Sequence, residues 1–312
     1  VNALYLPARA KLNLVLRIVG RRADGYHLLE TLFHPLDLHD DLWMLRGGED
    51  VELHASADAP HLAVGTGPDN LVHRALQRLR TAAGAAHGFA AHLHKRIPHG
   101  GGLGGGSSDA AAALRLGNRL LDRPLPPGEL HSLAVSLGAD VPFFLAGGSQ
   151  WGRGIGDELT PAEVPLRHFV LLLPPFGCPT AEVYKNHAAL WIGGRPQDTV
   201  APVTVPHTRD SDVRFGFEND LEPAAERVRP ELAVLRRRVA DLGYSQVRMT
   251  GSGSTLFVAC AREAEARRCL DDLACLCNEG VRLVATRSAT SGLDEPTARP
   301  WPKPGSFGGR VV

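Results

Sequence analysis

The sequence predicts an α+β protein of two domains, on two observations. Between Phe89 and Leu121 a strand pattern runs into a glycine loop and then a helix pattern, and from Phe169 to residue 286 the patterns read βαββαβ once a split helix between Asp220 and Leu242 is set aside. That second order is the ferredoxin-like arrangement. A chain of 312 residues is long enough for two cores. The expected division is 1–160 for the first domain, 161–290 for the ferredoxin-like second, and 291–312 for a disordered tail rich in Pro and Gly without periodicity.

In the first stretch Phe89, Ala91, Leu93 and Ile97 alternate with His92, His94 and Arg96, the period of a half-buried strand, which Pro98 ends. Six of the seven residues from Gly100 to Gly106 are glycine. Ser107, Ser108 and Asp109 then lead into the alanine-rich run Ala110–Leu121, predicted as a helix with a serine or Asp109 as N-cap. Glycines let backbone N–H groups turn inward around a bulky anion, and a helix N-terminus aims its own N–H groups and dipole at the same point. The loop is therefore expected to hold a phosphate; the plain alternative is a flexible turn. Other glycine motifs fail. A Walker loop needs Lys-Ser/Thr where Ser107-Ser108 stands. The dinucleotide spacing is met by Gly100, Gly102 and Gly105, but the helix runs into the Pro-rich Asp122–Pro127 and another helix instead of a second parallel strand. His99-Gly100-Gly101-Gly102 resembles a lipase oxyanion stretch without any Gly-x-Ser-x-Gly elbow, and no protein-kinase His-Arg-Asp or Asp-Phe-Gly occurs.

The other elements follow in order. From Ala8 to Gly20 the alternation of Leu12, Leu14, Leu16 and Ile18 predicts a strand that places Lys11 and Asn13 on one face, as a site or as edge residues in water. Arg22–His27 reads as a turn, putting Tyr26 and His27 on a loop, and Leu28–Phe33 as a strand. Leu42–Leu45 and Val51–Ala55 read as a hairpin around Gly47-Gly48, and Asp69-Asn70 caps a helix carrying Leu71, Val72, Ala75, Leu76, Leu79 and Ala83. Gly128–Leu137 is a helix closed by Gly138; Asp140 follows it and precedes an apolar strand, where a turn-capping role is the plain reading. The glycine-rich turn after it offers Arg153 as a candidate phosphate ligand. Thr250-Gly251-Ser252-Gly253-Ser254, between two strands of the second domain, either closes over the first glycine loop or is a simple hairpin turn.

Composition narrows the function. Basic and acidic residues balance at 34 each, so neither nucleic acid nor an acidic membrane is indicated as a partner. No apolar run is long enough for a membrane helix, and the opening VNALYLPARAKLNL lacks the charged start and apolar core of a signal peptide, so a cytoplasmic protein is expected. The five cysteines form no CxxC pair and are expected to be reduced packing residues, and His92 with His94 a solvated strand face with no further metal ligands nearby. Among the basic residues only Lys11, Lys95, Lys185 and Lys303 are lysines. A compact ammonium kept in an arginine-rich chain marks places too tight for a guanidinium.

Taken jointly, the Lys11 strand, PHGGGLGGGSSDAAA and the late MTGSGSTLF resemble the three motifs of the GHMP kinase superfamily. ARAKLNL, RADGYHLLETLF, GADVPFF, GRGIGDELTP and PTAEVYK are similar to its family of 4-diphosphocytidyl-2-C-methyl-D-erythritol kinases, over residues 8 to about 288. The resemblance implies a two-domain GHMP kinase fold with an N-terminal domain like domain 2 of ribosomal protein S5. It implies ATP and Mg²⁺, a small-molecule substrate carrying cytidine diphosphate, and a monomer or weak homodimer. It further implies Lys11 and Asp140 as the catalytic pair, with Asp140 taking or orienting the hydroxyl proton. Pro98, His99, Gly100, Gly101, Gly102, Leu103, Gly104, Gly105, Gly106, Ser107 and Ser108 would cradle the ATP phosphates, with Lys95 beside the nucleotide and a Ser107 or Ser108 hydroxyl near the metal. Tyr26 and Tyr184 would sandwich the cytosine, His27 would read its edge and Asn13 would place the substrate. Asp109 is the alternative metal contact, as against a structural first-turn residue. Two positions depart from the family pattern: Arg9 stands for the usual proline and His99 for a small or apolar residue; the tail has no counterpart. The alternatives are a kinase of another alcohol, such as homoserine or mevalonate, and a nucleotide-binding sensor without catalysis.

Overall fold

The computed structural model describes residues 1–22, 25–190, 216–289 and 293–303. The alternation around Lys11 extends much further than its apolar positions indicate. β1 (Asn2–Arg21) and β2 (His27–Arg46) pair antiparallel over their length, and bulges between Arg9 and Lys11 and between Asn13 and Val15 bracket the Lys11–Asn13 segment. Bulges re-aim side chains and sharpen local twist. β1 is no edge in water: Ala10–Leu16 are all buried.

β3 (Val51–Ala57) does not form the expected hairpin with β2. α1 (Leu71–Ala83), capped by Asn70, carries the chain over to β4 (Phe89–Lys95), which slots between them, antiparallel to β2 and parallel to β3. α2 (Gly105–Leu120) begins four residues after the chain enters the loop at Gly101, with left-handed Gly104 at its N-cap position, so Ser107, Ser108 and Asp109 lie inside the helix instead of capping it. α3 (Pro127–Leu137) follows as expected. The apolar run after Asp140 is a short helix, α4 (Val141–Ala146), in place of a strand: Pro142 suits a first helical turn and Gly147 ends it. Asp140 therefore sits at a helix start. β5 (Gln150–Arg153) and β6 (Glu158–Pro161) extend the sheet beside β2. The helices pack over Leu6, Leu42, Met44, Phe89 and Leu93, a core that the small side chains of α2 approach closely.

The second sheet is made by β7 (His168–Leu173), β9 (Arg248–Met249), β10 (Leu256–Cys260) and β11 (Arg282–Arg287) in the order β11-β7-β10-β9, all antiparallel, as the ferredoxin-like pattern requires. α5 (Thr180–Leu190), α6 (Glu222–Val228), α7 (Pro230–Asp241) and α8 (Glu263–Leu273) pack against it. β8 (Glu218–Asn219) crosses to pair with Val15–Leu16 of β1. A third apolar cluster, with Leu12, Leu14 and Leu103 from one side and Phe169, Leu171 and Phe257 from the other, joins the two sheets.

The tail departs from expectation. Leu293 to Lys303 are placed, and β12 (Thr297–Pro300) pairs with Asn2–Tyr5 at the edge of β1, with Arg299 stacked 3.5 Å over the Tyr5 ring. The expectation for 304–312 lies outside the described residues. His94 is not solvated: it is buried and bonded to Ser56 and Asp58. The cysteines are free, with Cys178, Cys260 and Cys269 buried and Cys275 and Cys277 exposed rather than packed.

Candidate active site

The seam between the sheets opens into a cleft of about 820 Å³, and the bulged Lys11–Asn13 segment forms part of its wall. Lys11 is 3% exposed, its Nζ lies 3.7 Å from Asp140 Oδ2, and it donates to Asn13 Oδ1 at 2.5 Å. Burial pushes the Lys11 pKa below the usual lysine range, and the Asp140 charge pulls it back up. Asn13 is held from behind by donating to Thr31 Oγ1 at 2.8 Å, which in turn donates to the Val15 carbonyl. Asp140 stays about one third exposed, facing the cleft. A buried ammonium beside a solvent-facing carboxylate puts a positive charge and a proton acceptor together where a bound hydroxyl can reach both.

The glycine loop abuts this pair. The Lys11 N–H donates to the Leu103 carbonyl at 3.0 Å, so the loop takes the place of a neighbouring strand, and Leu103 anchors it in the core between the sheets. Gly100, Gly102 and Gly104 line the cleft with φ of 72°, 76° and 71°, the left-handed region that glycine adopts without penalty. The N–H groups of Gly105, Gly106 and Ser107 open α2 with no helical acceptor behind them, whereas Ser108 N–H already bonds to Gly104. The second glycine loop does both things expected of it as alternatives: it joins β9 to β10 as a hairpin and closes on the first. Thr255 N–H donates to the Gly101 carbonyl at 3.3 Å and Thr250 Oγ1 to the Gly102 carbonyl at 3.4 Å. Asn13 N–H donates to Thr250 Oγ1 at 2.9 Å, tying both loops to β1.

At another part of the wall the His27 ring lies 5.1 Å from the ring of Tyr184 on α5, and Tyr26 is 63% exposed. His27 Nε2 is buried without a hydrogen-bond partner, and burial, then His187 and Arg21, lowers its pKa, leaving a neutral ring able to bond a ligand. Arg21 and Lys185 add positive charge to the wall.

Comparison with known proteins matches this arrangement. The family model for the GHMP kinases N terminal domain covers residues 70–148, and that for the GHMP kinases C terminal covers 211–279. The 4-diphosphocytidyl-2-C-methyl-D-erythritol kinase of Ralstonia nicotianae is 41% identical over 271 residues, 86% of this chain and 89% of that protein; that of Bordetella bronchiseptica is 38% identical over 95% and 97%. The chain belongs to the 4-diphosphocytidyl-2-C-methyl-D-erythritol kinase family. A crystal structure titled 4-(cytidine 5'-diphospho)-2C-methyl-D-erythritol kinase superposes with a TM-score of 0.73 at 35% identity, covering 91% of this chain and 99% of that one. Homoserine kinase from Cytophaga hutchinsonii, at 18% identity and a TM-score of 0.64, shares the fold.

Set against that family, the residues singled out in the sequence divide. Lys11, Asn13, Tyr26, His27, Gly100, Gly102, Gly104, Asp140 and Tyr184 line one cleft. Lys95 does not reach it. The residue is 2% exposed, with its ammonium ion-paired to Asp40 and, at 2.7 Å, to Asp109, while Asp40 also accepts the N–H groups of Arg96 and Ile97. This knot ties the end of β4 to the second turn of α2, on either side of the glycine loop, so Lys95 shapes the loop from beneath. One ammonium faces two carboxylates there, and burial pushes Asp109 up to about 8. Ser108 is buried beside Arg9 and Arg115, off the cleft; Ser107 is half-buried, and Pro98 and His99 lie at the loop's outer start, half-buried and exposed. Arg153 pairs with Glu30 at 3.7 Å. Sequence reasoning missed Lys185, although it is one of four lysines and adjoins Tyr184, and it missed Asp40, whose partner Lys95 is far away along the chain.

Proposed function

We propose that this protein transfers the γ-phosphoryl group of ATP to the 2-hydroxyl of 4-diphosphocytidyl-2-C-methyl-D-erythritol, with Lys11 and Asp140 as the catalytic pair. The observation that carries the reading is the 3.7 Å Lys11–Asp140 contact directly beside a glycine loop and helix N-terminus, in a cleft whose wall also holds Tyr184 and His27. The N–H groups of Gly105, Gly106 and Ser107, with the turned backbone of Gly100–Gly104, hold the phosphates. Asp140 accepts the proton of the attacking hydroxyl as the new oxygen–phosphorus bond forms and the bond from the γ-phosphorus to its bridging oxygen breaks; the electron pair leaves with ADP and the proton passes to solvent. Lys11 offsets charge on the attacking oxygen, which suffices where positioning and electrostatics dominate.

A divalent ion on the ATP oxygens would neutralise charge on the transferring group. Phosphate oxygens and the Ser107 hydroxyl, in the first turn of α2, would hold it. Tyr184 and Tyr26 flank the cytosine, neutral His27 bonds its edge, and Arg21 and Lys185 suit the diphosphate. The test compares ADP release with the cytidylated substrate, homoserine and mevalonate, each with and without Mg²⁺. Preference for the cytidylated substrate is expected; preference for an alcohol without cytidine overturns the assignment.

A further inference from the structure

Arg9, where the resemblance leads one to expect proline, meets the segment from Leu293 onward in the structure. Asp294 forks onto Arg9, with Nε to Oδ2 at 2.5 Å and Nη2 to Oδ1 at 2.8 Å, while Arg9 Nη1 bonds Asp37 at 2.8 Å. A proline at position 9 offers no such donors. Arg115 of α2 donates to the Asp294 carbonyl. Leu293 lies against Gly147, where an added Cβ would come within 3.0 Å of the Leu293 side chain.

These contacts fall on the three elements that carry the site. Arg9 is two residues before Lys11, across the β1 bulge. Gly147 ends the short helix that Asp140 begins. Arg115 is on the helix whose first N–H groups face the loop. Between them, Phe144 and the Lys11 stem both crowd Gly104, where a Cβ would meet Phe144 Cζ at 2.9 Å and Lys11 Cγ at 3.0 Å. β12 pins the same segment further along to Asn2–Tyr5.

We propose that Asp294 and Arg9 are positioning residues: the 293–303 segment is a strap that holds β1, α2 and α4 in the register that brings Lys11 to Asp140 and the glycine loop. The proposal rests on the kinase reading above, and its consequence is a cost in turnover rather than in substrate binding, since the strap touches no cleft ligand.

The test uses the full chain with Asp294→Ala, Asp294→Asn, Arg9→Ala and the Arg9→Ala/Asp294→Ala double variant. Asp294→Ala is expected to lower kcat about tenfold with both KM values within about twofold, Asp294→Asn to lie between it and the wild type, and the double variant to lose less than the two single losses combined, since Arg9 also holds Asp37. Hydrogen exchange at the Lys11 N–H, bonded to Leu103, is expected to quicken in Asp294→Ala whatever the substrate. Wild-type kcat in Asp294→Ala, or additive losses in the double variant, overturns the strap while leaving the kinase reading in place. If the wild type lacks turnover, the kinase reading falls, and unchanged Lys11 exchange still decides against the strap.

Discussion

Gly102→Ala separates the close approach of the two glycine loops from ordinary glycine strain. At φ 76° any added side chain carries a left-handed penalty of roughly 1–2 kcal/mol. A Cβ there would also sit 2.3 Å from the Thr250 carbonyl oxygen and 3.3 Å from that of Gly253, both backbone atoms. Relieving the first contact requires the loops to part by about 1 Å, which breaks the Thr250 and Thr255 bonds to Gly102 and Gly101. Gly84→Ala supplies the reference: its φ is 58°, nothing lies within 4 Å of the added Cβ, and it caps α1 away from the cleft. Both substitutions alter the unfolded chain alike, so that contribution cancels. Urea denaturation should find Gly84→Ala about 1–2 kcal/mol less stable than wild type, with kcat unchanged. Gly102→Ala should lose about 2 kcal/mol more, and its kcat should fall by up to about 100-fold because the phosphate nest moves relative to Lys11. Equal stability of the two variants, with kcat of Gly102→Ala within twofold of wild type, would refute the reasoning.

Lys11→Met should abolish turnover without lowering stability, because a desolvated ammonium is replaced by an apolar chain of similar length. Since the folded pKa of Lys11 is lowered, its penalty on folding is full below the lowered value and is released as pH rises through that value toward 10.5. Wild-type stability relative to Lys11→Met should therefore increase with pH in that window, and a flat difference in denaturant titrations would contradict the burial argument. Asp109 has the opposite sign: its folded pKa is raised from 3.8 to about 8, so its contribution is fully present below pH 4 and is lost as pH rises to 8. Asp109→Asn, neutral throughout, should remove that decline from the stability profile while leaving the metal dependence of turnover unchanged; a shifted metal dependence would make Asp109 a metal contact.

Local patterns made the second sheet legible, since its strands are short and bounded by turn residues, β7 and β10 being continuous apolar runs. The same reasoning misplaced β3. Gly47-Gly48 carries a strong hairpin signal, but β3 pairs with β4, which arrives only after a helix and offers apolar residues on the matching face. The start of α2 inside the glycines was hidden because glycine disfavours helices; Leu103 and the core beneath hold it there. Val141-Pro142-Phe143-Phe144 has strand-like side chains, and packing under α2 decided for a helix. Lys11 and Asp140 were each unremarkable locally and became a pair only through the resemblance, being joined by a fold that brings β1 beside α4. The ion pairs of Lys95 were not legible because its two carboxylate partners, Asp40 and Asp109, lie 55 and 14 residues away and leave no short-range mark. Likewise Asp294 sits in a Pro-rich stretch with no periodicity, and its contact with Arg9 spans 285 residues.

The central claim is that Asp140, beside Lys11, takes part in phosphoryl transfer to a cytidylated alcohol. It is tested most directly by following transfer of labelled γ-phosphate from ATP to 4-diphosphocytidyl-2-C-methyl-D-erythritol in the wild type and in Asp140→Asn, with nucleotide binding measured in parallel. The account predicts product labelled at the 2-hydroxyl in the wild type, and in the variant a loss of about 100-fold or more in transfer with ATP affinity unchanged. Transfer by Asp140→Asn at the wild-type rate would contradict it.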